Sequence, residues 1–201
     1  MICESLSASE LQHRKSLRRT LRQRRHALTA QQQRHAARQL SRKLQTLPCV
    51  RQARHIAAYV ASDGEIDPSD FLAWAQQHGK TVWLPIVCDG HPLHPLGLRF
   101  VIAPTPKQRS GWRRNCYGIR EPRGRQHSAP AKLDLLLLPL VGFDAQGNRL
   151  GMGGGYYDRL LQKLENAPRR PRCLGLAHRC QQVPQLIQAH WDRPLDRMIA
   201  V

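Results

Sequence analysis

Residues 133–160 read LDLLLLPLVGFDAQGNRLGMGGGYYDRL. From Leu133 to Val141 the run is almost wholly apolar, as a strand covered on both faces of a parallel sheet should be. The glycines Gly151, Gly153, Gly154 and Gly155 follow it, and because glycine lacks a Cβ they can take positive φ and let backbone N–H groups approach an anion. Tyr157, Leu160, Leu161 and Leu164 then fall at i, i+3, i+4 and i+7, which predicts a helix packed on the sheet. If that helix starts near Gly155 or Tyr156, its free N–H groups and the positive end of its dipole face the glycine turn.

Working outward, the same alternation recurs. His55–Ala61 reads as a strand, Pro68–His78 as a helix capped by Asp67 and closed by Gly79, and Thr81–Ile86 and Leu96–Ala103 as strands. Residues 104–132 form a long loop rich in Arg, Pro and Gly. Cys173–Ala177 reads as a strand, Pro184–Ala189 as a short helix and Leu195–Val201 as a final strand. Strands alternating with helices imply a parallel sheet. Upstream, Ser7 with Glu10 and Thr29 with Gln32 are capping-box pairs opening two helices within residues 8–47. The first carries Arg14, Arg18, Arg22 and Arg25 on one stripe, with Leu17, Leu21 and Leu28 as its apolar face; the second repeats Ala36, Ala37, Leu40, Leu44 and Leu47. The expected organisation is one α/β domain over 1–201, with helices at 8–47 appended to a body at 54–201.

The 201 residues carry 32 Lys and Arg against 14 acids, a formal charge of +18. Anionic partners follow: nucleic acid, an acidic surface or a polyanionic small molecule. Aromatics are 5% of the chain, and neither a stacking platform nor a nucleic-acid reading motif is visible, so nucleic acid is not the expected partner. The six cysteines form no CxxC pair, and no secretory or membrane-spanning stretch appears, which places the chain by expectation in a reducing cytoplasm, away from membranes.

The glycine run is not a Walker A loop, lacking the Lys-Ser/Thr end, and it fits the dinucleotide fingerprint poorly. Alone, a tight strand-to-helix turn holding no ligand accounts for it equally well. Asp158 sharpens the choice. In the first helical turn it either just favours the dipole or, facing phosphates, needs a cation between, for which magnesium is the natural candidate.

At these residues the chain resembles the 5-formyltetrahydrofolate cyclo-ligases, also called 5,10-methenyltetrahydrofolate synthetases. LPLVGFDAQGNRLGMGGGYYDRLL is similar to their signature, RKSLR to their opening helix, YVASDGEID to their substrate loop, and HWDRPLD to their closing aspartate segment. The resemblance implies a three-layer Rossmann-like domain with a mostly parallel sheet, of the NagB/RpiA/CoA-transferase type. It also implies ATP-dependent conversion of 5-formyltetrahydrofolate to 5,10-methenyltetrahydrofolate, with ATP as co-substrate and Mg2+ as cofactor, by a monomer acting on folates that include polyglutamylated forms.

By the same resemblance, Arg149, Tyr157 and Asp158 are the catalytic candidates. ATP falls to Arg14, Arg18, Arg149, Leu150, Gly151, Met152, Gly153, Gly154, Gly155, Tyr156 and Tyr157. Folate falls to Val60, Glu65, Tyr117, Met152, Gly153, Gly154, Gly155 and Tyr156, and magnesium to Asp158 and Asp192. The family often has Lys where Arg14 stands, and often Lys where Gly154 stands. Two other readings stay open at this point: a basic nucleic-acid-binding protein, and a different small-molecule kinase using the same phosphate site.

Overall fold

The computed structural model describes residues 6–88, 97–105, 108, 111–124, 127–128 and 130–201. Helix α1 (Ala8–His26) opens on the expected capping box: the Glu10 amide donates to the Ser7 hydroxyl at 3.3 Å and the Ser7 amide to the Glu10 carboxylate at 2.8 Å. Thr29 and Gln32 cap α2 (Ala30–Thr46) in the same way. A short α3 (Pro48–Gln52) starts on its proline, whose missing N–H costs nothing at a first helical position.

Then follow β1 (His55–Ala57), α4 (Ser69–Gln77), β2 (Thr81–Val87), β3 (Leu98–Ile102), β4 (Trp112–Arg114), β5 (Arg120–Pro122), β6 (His127–Ser128) and β7 (Leu135–Pro139). The chain continues with β8 (Gly142–Phe143), β9 (Arg149–Leu150), α5 (Tyr156–Glu165), β10 (Arg172–Ala177) and β11 (Arg197–Ala200).

The main sheet has the order β11-β10-β7-β1-β2-β3-β6. Neighbours from β11 to β2 are parallel, whereas β3 runs antiparallel to β2 and β6 antiparallel to β3. The reversal follows from chain length: residues 88–97 are too few for a crossover, which takes a dozen or more. The start of the expected strand, Leu96, lies outside the described residues. The described part of the 104–132 segment holds the β4–β5 hairpin and β6 rather than loop alone.

The period of two along β7 builds the layers. Leu135 and Leu137 point into a cluster with Leu40 and Leu44 of α2, Phe71 of α4, Ile56 and Leu174. Leu136 and Leu138 point the other way, onto Leu160, Leu161 and Leu164 of α5. All four leucines are fully buried, as a strand covered on both faces requires. Helix α1 packs elsewhere, with Leu21 against Val141, Leu150, Val183 and Leu186. Contact there is so close that a Cβ on Gly142 would lie 2.4 Å from the Leu21 Cδ1.

The helix expected at Pro184–Ala189 does not form. Its backbone groups are satisfied by side chains instead: the Leu186 amide donates to Asp144 at 3.0 Å, the Ala189 amide to Asp192 at 2.8 Å, and the Ile187 carbonyl accepts from Arg14. Asp144 is 1% exposed and also accepts from the amides of Gln146 and Asn148 and from the Asn148 side chain, at 2.9–3.0 Å. One buried carboxylate therefore ties the β8–β9 turn to the 184–189 segment. Asp144→Ala is expected to cost about 3 kcal/mol or more, since it strands several buried donors at once. Thermal unfolding measures it, and a change below roughly 1 kcal/mol would contradict this role.

Candidate active site

Two loops meet where parallel strands end, the position at which open α/β sheets bind ligands. One leaves β7 through the β8–β9 hairpin and becomes the glycine run. The other, residues 58–68, follows β1 and carries Glu65.

In the glycine run Gly153 has φ 103° and Gly155 φ 68°, the left-handed region that favours glycine. Gly155 is the N-cap of α5 and has no side chain with which to cap the first turn. A Cβ on Gly155 would sit 2.9 Å from the Arg159 guanidinium, whereas Gly154 has ordinary φ and only the Tyr156 ring close by.

Arg18, Arg149 and Arg159 surround this turn. Arg18 donates from Nε to the Gly151 carbonyl at 2.9 Å, and its terminal nitrogens have no protein acceptor among the described residues. Burial and then the neighbouring Arg14 pull the Arg18 pKa down, partly offset by Asp192 and Asp158, so these four side chains form one electrostatic group. Arg149, on β9, pairs with the Asp158 carboxylate, and its Nε is buried without a partner among the described residues. A buried guanidinium nitrogen beside a helix N-terminus suits an anion.

Arg14 is 5% exposed and holds Asp192 with two nitrogens, at 2.6 and 3.0 Å. Both Asp192 oxygens are thus committed, Oδ2 also accepting the Ala189 amide. Asp158 keeps one oxygen outside its bond to Arg149. Among the described residues no cluster of three or more His, Cys, Asp or Glu could hold a metal. The donor set fits magnesium that arrives on a nucleotide and takes a single carboxylate, Asp158, far better than a resident ion caged by protein.

At the other loop, Ser62 donates its amide to the Glu65 carboxyl at 3.1 Å. Burial pushes Glu65 up to about 7, against the lowering influence of the Ser62 amide and Arg25. Tyr157 of α5, whose own hydroxyl burial pushes well up, feels the Glu65 charge, and Arg25 spans the two loops, pairing with Asp63 and standing 4.0 Å from the Met152 sulfur. Val60 packs partly buried on the core beside this loop. Tyr117, on the β4–β5 turn, is 58% exposed and shares a 2.9 Å hydrogen bond with the Tyr156 hydroxyl, joining a folate candidate to the glycine run. Met152 is exposed; Leu150 turns its side chain into the core, so only its backbone faces the turn.

Sequence reasoning missed Arg25, Asp63 and Asp144. The two aspartates had a signal, Asp63-Gly64 and Asp144-x-x-Gly147-Asn148 being turn patterns. Arg25 had none, because a stripe of arginines looks the same whether solvated or buried. Here Arg14 and Arg25 are buried and Arg22 is exposed.

An open, mostly parallel sheet with an arginine-lined glycine turn and a buried carboxyl in the loops at its carboxyl edge has the layout of an α/β enzyme. Among known proteins, the model of the 5-formyltetrahydrofolate cyclo-ligase family matches residues 10–201. A 5-formyltetrahydrofolate cyclo-ligase of Haemophilus influenzae is 39% identical, over 92% of this chain and 95% of its own. One of Escherichia coli is 36% identical over 89% and 95%. The solved 5,10-methenyltetrahydrofolate synthetase of Aquifex aeolicus superposes with a TM-score of 0.78 at 26% identity, covering 93% of this chain and 89% of that one. The chain belongs to the 5-formyltetrahydrofolate cyclo-ligase family. None of the described helices is long and apolar enough to cross a membrane.

Proposed function

We propose that this enzyme uses ATP to convert 5-formyltetrahydrofolate to 5,10-methenyltetrahydrofolate, releasing ADP and phosphate. The observation that carries the reading is one site in which a cation-lined glycine turn and a carboxyl near pKa 7 face each other. A formamide oxygen is a poor leaving group. Transfer of the γ-phosphoryl to it makes an iminophosphate; N10 then attacks the formyl carbon, loses its proton and closes the ring as phosphate departs. The protein's contribution is positioning and charge neutralisation.

In this scheme Arg18, the orphaned Arg149 nitrogen and the amides at the start of α5 bind the phosphates. Magnesium, when bound, neutralises phosphate charge, and Asp158 is the residue that would hold it. Arg14 and Asp192 act as a pair: their mutual bond sets the wall beside Arg18. Glu65 lies at the formyl end, and a carboxyl near 7 is suited to take the N10 proton at neutral pH. Tyr117 and Tyr156 line the folate side. The free thiols of Cys49, Cys116, Cys173 and Cys180 support a cytoplasmic setting; we take the enzyme as a monomer that accepts mono- and polyglutamylated folates.

The test is the growth of methenyltetrahydrofolate absorbance from 5-formyltetrahydrofolate. Product is expected only with both ATP and magnesium. Equal rates without nucleotide, or ATP consumption unaffected by the folate, would overturn the reading and favour a different kinase.

A further inference from the structure

Arg25 lies in the last turn of α1 and is fully buried, yet none of the steps above uses it. Its Nε donates to the Asp63 carbonyl at 2.7 Å. One terminal nitrogen pairs with the Asp63 carboxylate and stands 4.0 Å from the Met152 sulfur; the other reaches the Leu140 carbonyl at 3.5 Å. A single guanidinium thus touches the Glu65 loop, the chain leaving β7 and the glycine run.

The loop it grips is tight. Asp63 has φ 51° and Gly64 φ 74°, and the Glu65 amide donates to the Ser62 carbonyl at 2.9 Å, so two left-handed residues form the centre of a hairpin-type turn. Glycine adopts that conformation freely, whereas aspartate needs support. The turn is what brings the Ser62 amide and hydroxyl onto the Glu65 carboxyl, at 3.1 and 3.4 Å. Arg22 and His26 also bond Asp63, at 2.8–2.9 Å, but their side chains are 45% and 50% exposed, and pairs so exposed contribute little. Arg25 alone holds both the carboxylate and the backbone carbonyl from a buried position.

We propose that Arg25 is a positioning residue: by holding Asp63 in its left-handed conformation it sets the Glu65 carboxyl against the phosphate-binding run, coupling the two halves of the site. The inference rests on Glu65 being the carboxyl at the folate end. The charged and titratable groups that face Glu65 are Arg25 from α1, Asp63 from its own loop, Tyr59 from the chain after β1 and Tyr157 from α5. Arg25 favours the ionised form of Glu65 and Asp63 opposes it.

Arg25→Met removes the donors and charge while keeping much of the volume. It is expected to lower kcat/KM for 5-formyltetrahydrofolate by roughly 10- to 100-fold, the loss that a misplacement of about 1 Å produces, with KM for ATP within about twofold. The limb of the folate kcat/KM profile near pH 7 should move to higher pH, because a nearby cation has gone. Hydrogen exchange of the Glu65 amide should accelerate while amides of β7 and α5 keep their protection. Arg25→Lys keeps the charge but not the two-pronged grip, so it should restore the limb and only part of the rate. If Arg25→Met does not fold, Arg25→Lys carries the test through the folate kinetics and Glu65 exchange. Equal losses for folate and ATP in either variant, or unchanged Glu65 exchange, would overturn the proposal. Glu65→Gln, assayed beside them, separates the two failures: a near-normal Glu65→Gln sinks the assignment of Glu65, whereas a crippled one beside normal folate kinetics in Arg25→Met sinks only the brace.

Discussion

Asp158→Asn is expected to lower kcat by about 100-fold or more, the scale set by removing one preorganised charge contact from a transition state. The substitution barely changes volume, so the loss is electrostatic. One Asp158 oxygen holds Arg149, and the other is the one that would take a nucleotide-bound magnesium in the proposed reaction. A neutral amide weakens both contacts. A stability effect accompanies the kinetic one, because the Arg149 side chain is 3% exposed and already carries an orphaned Nε. Breaking a buried pair on one side costs about 3–5 kcal/mol. Asp158 is 20% exposed and asparagine still accepts a hydrogen bond, so about 1–2 kcal/mol is the expected loss. Turnover measured well below the lowered Tm separates the two effects. Near-normal kcat at saturating magnesium would remove Asp158 from the phosphate side of the site.

Glu65→Gln is expected to lower kcat/KM for the folate by roughly 10²- to 10⁴-fold, the range of a lost general base, and to leave KM for ATP within about twofold. The wild-type profile of kcat/KM should rise through a limb near pH 7, where Glu65 titrates, and the variant should lack it. The same substitution should stabilise the fold at alkaline pH. Burial raises the Glu65 pKa from 4.5 to about 7, so the protonated form is favoured on folding. Its contribution to stability is complete below pH 4.5 and is lost as pH rises through 7. The gap corresponds to about 3 kcal/mol, or about 2 kcal/mol once partial exposure is discounted. Wild type and variant should therefore unfold alike near pH 4, while the variant is the more stable at pH 8.5. Equal stability at both pH values, or a wild-type profile flat from pH 5 to 8, would contradict a carboxyl held near 7.

Much of this was legible along the chain. The capping boxes were, because each is written in residues three apart and depends on little else. So was β7, since an unbroken apolar run in an α/β pattern has few other places to go. The glycine turn and the start of α5 were legible because left-handed backbone selects glycine locally. Strand direction at β3 was not: it depends on whether a ten-residue connection can cross the sheet, and the period of two is identical in parallel and antiparallel strands. The 184–189 segment failed for a related reason, since its apolar spacing suits a helix but distant Asp144 and Arg14, with Asp192 just beyond the segment, capture its backbone groups.

The residue order alone settled the backbone of the glycine run, because left-handed conformation at Gly153 and Gly155 selects glycine locally. Which of the four arginines on one helical stripe face the site, and what each one touches, follows from long-range packing alone. Arg14 is paired to Asp192, Arg18 opens toward the turn, Arg22 lies outside, and Arg25 is buried on the Glu65 loop. A charge's role depends on its desolvation and its partner, and both are supplied by chain segments some 40 to 180 residues away.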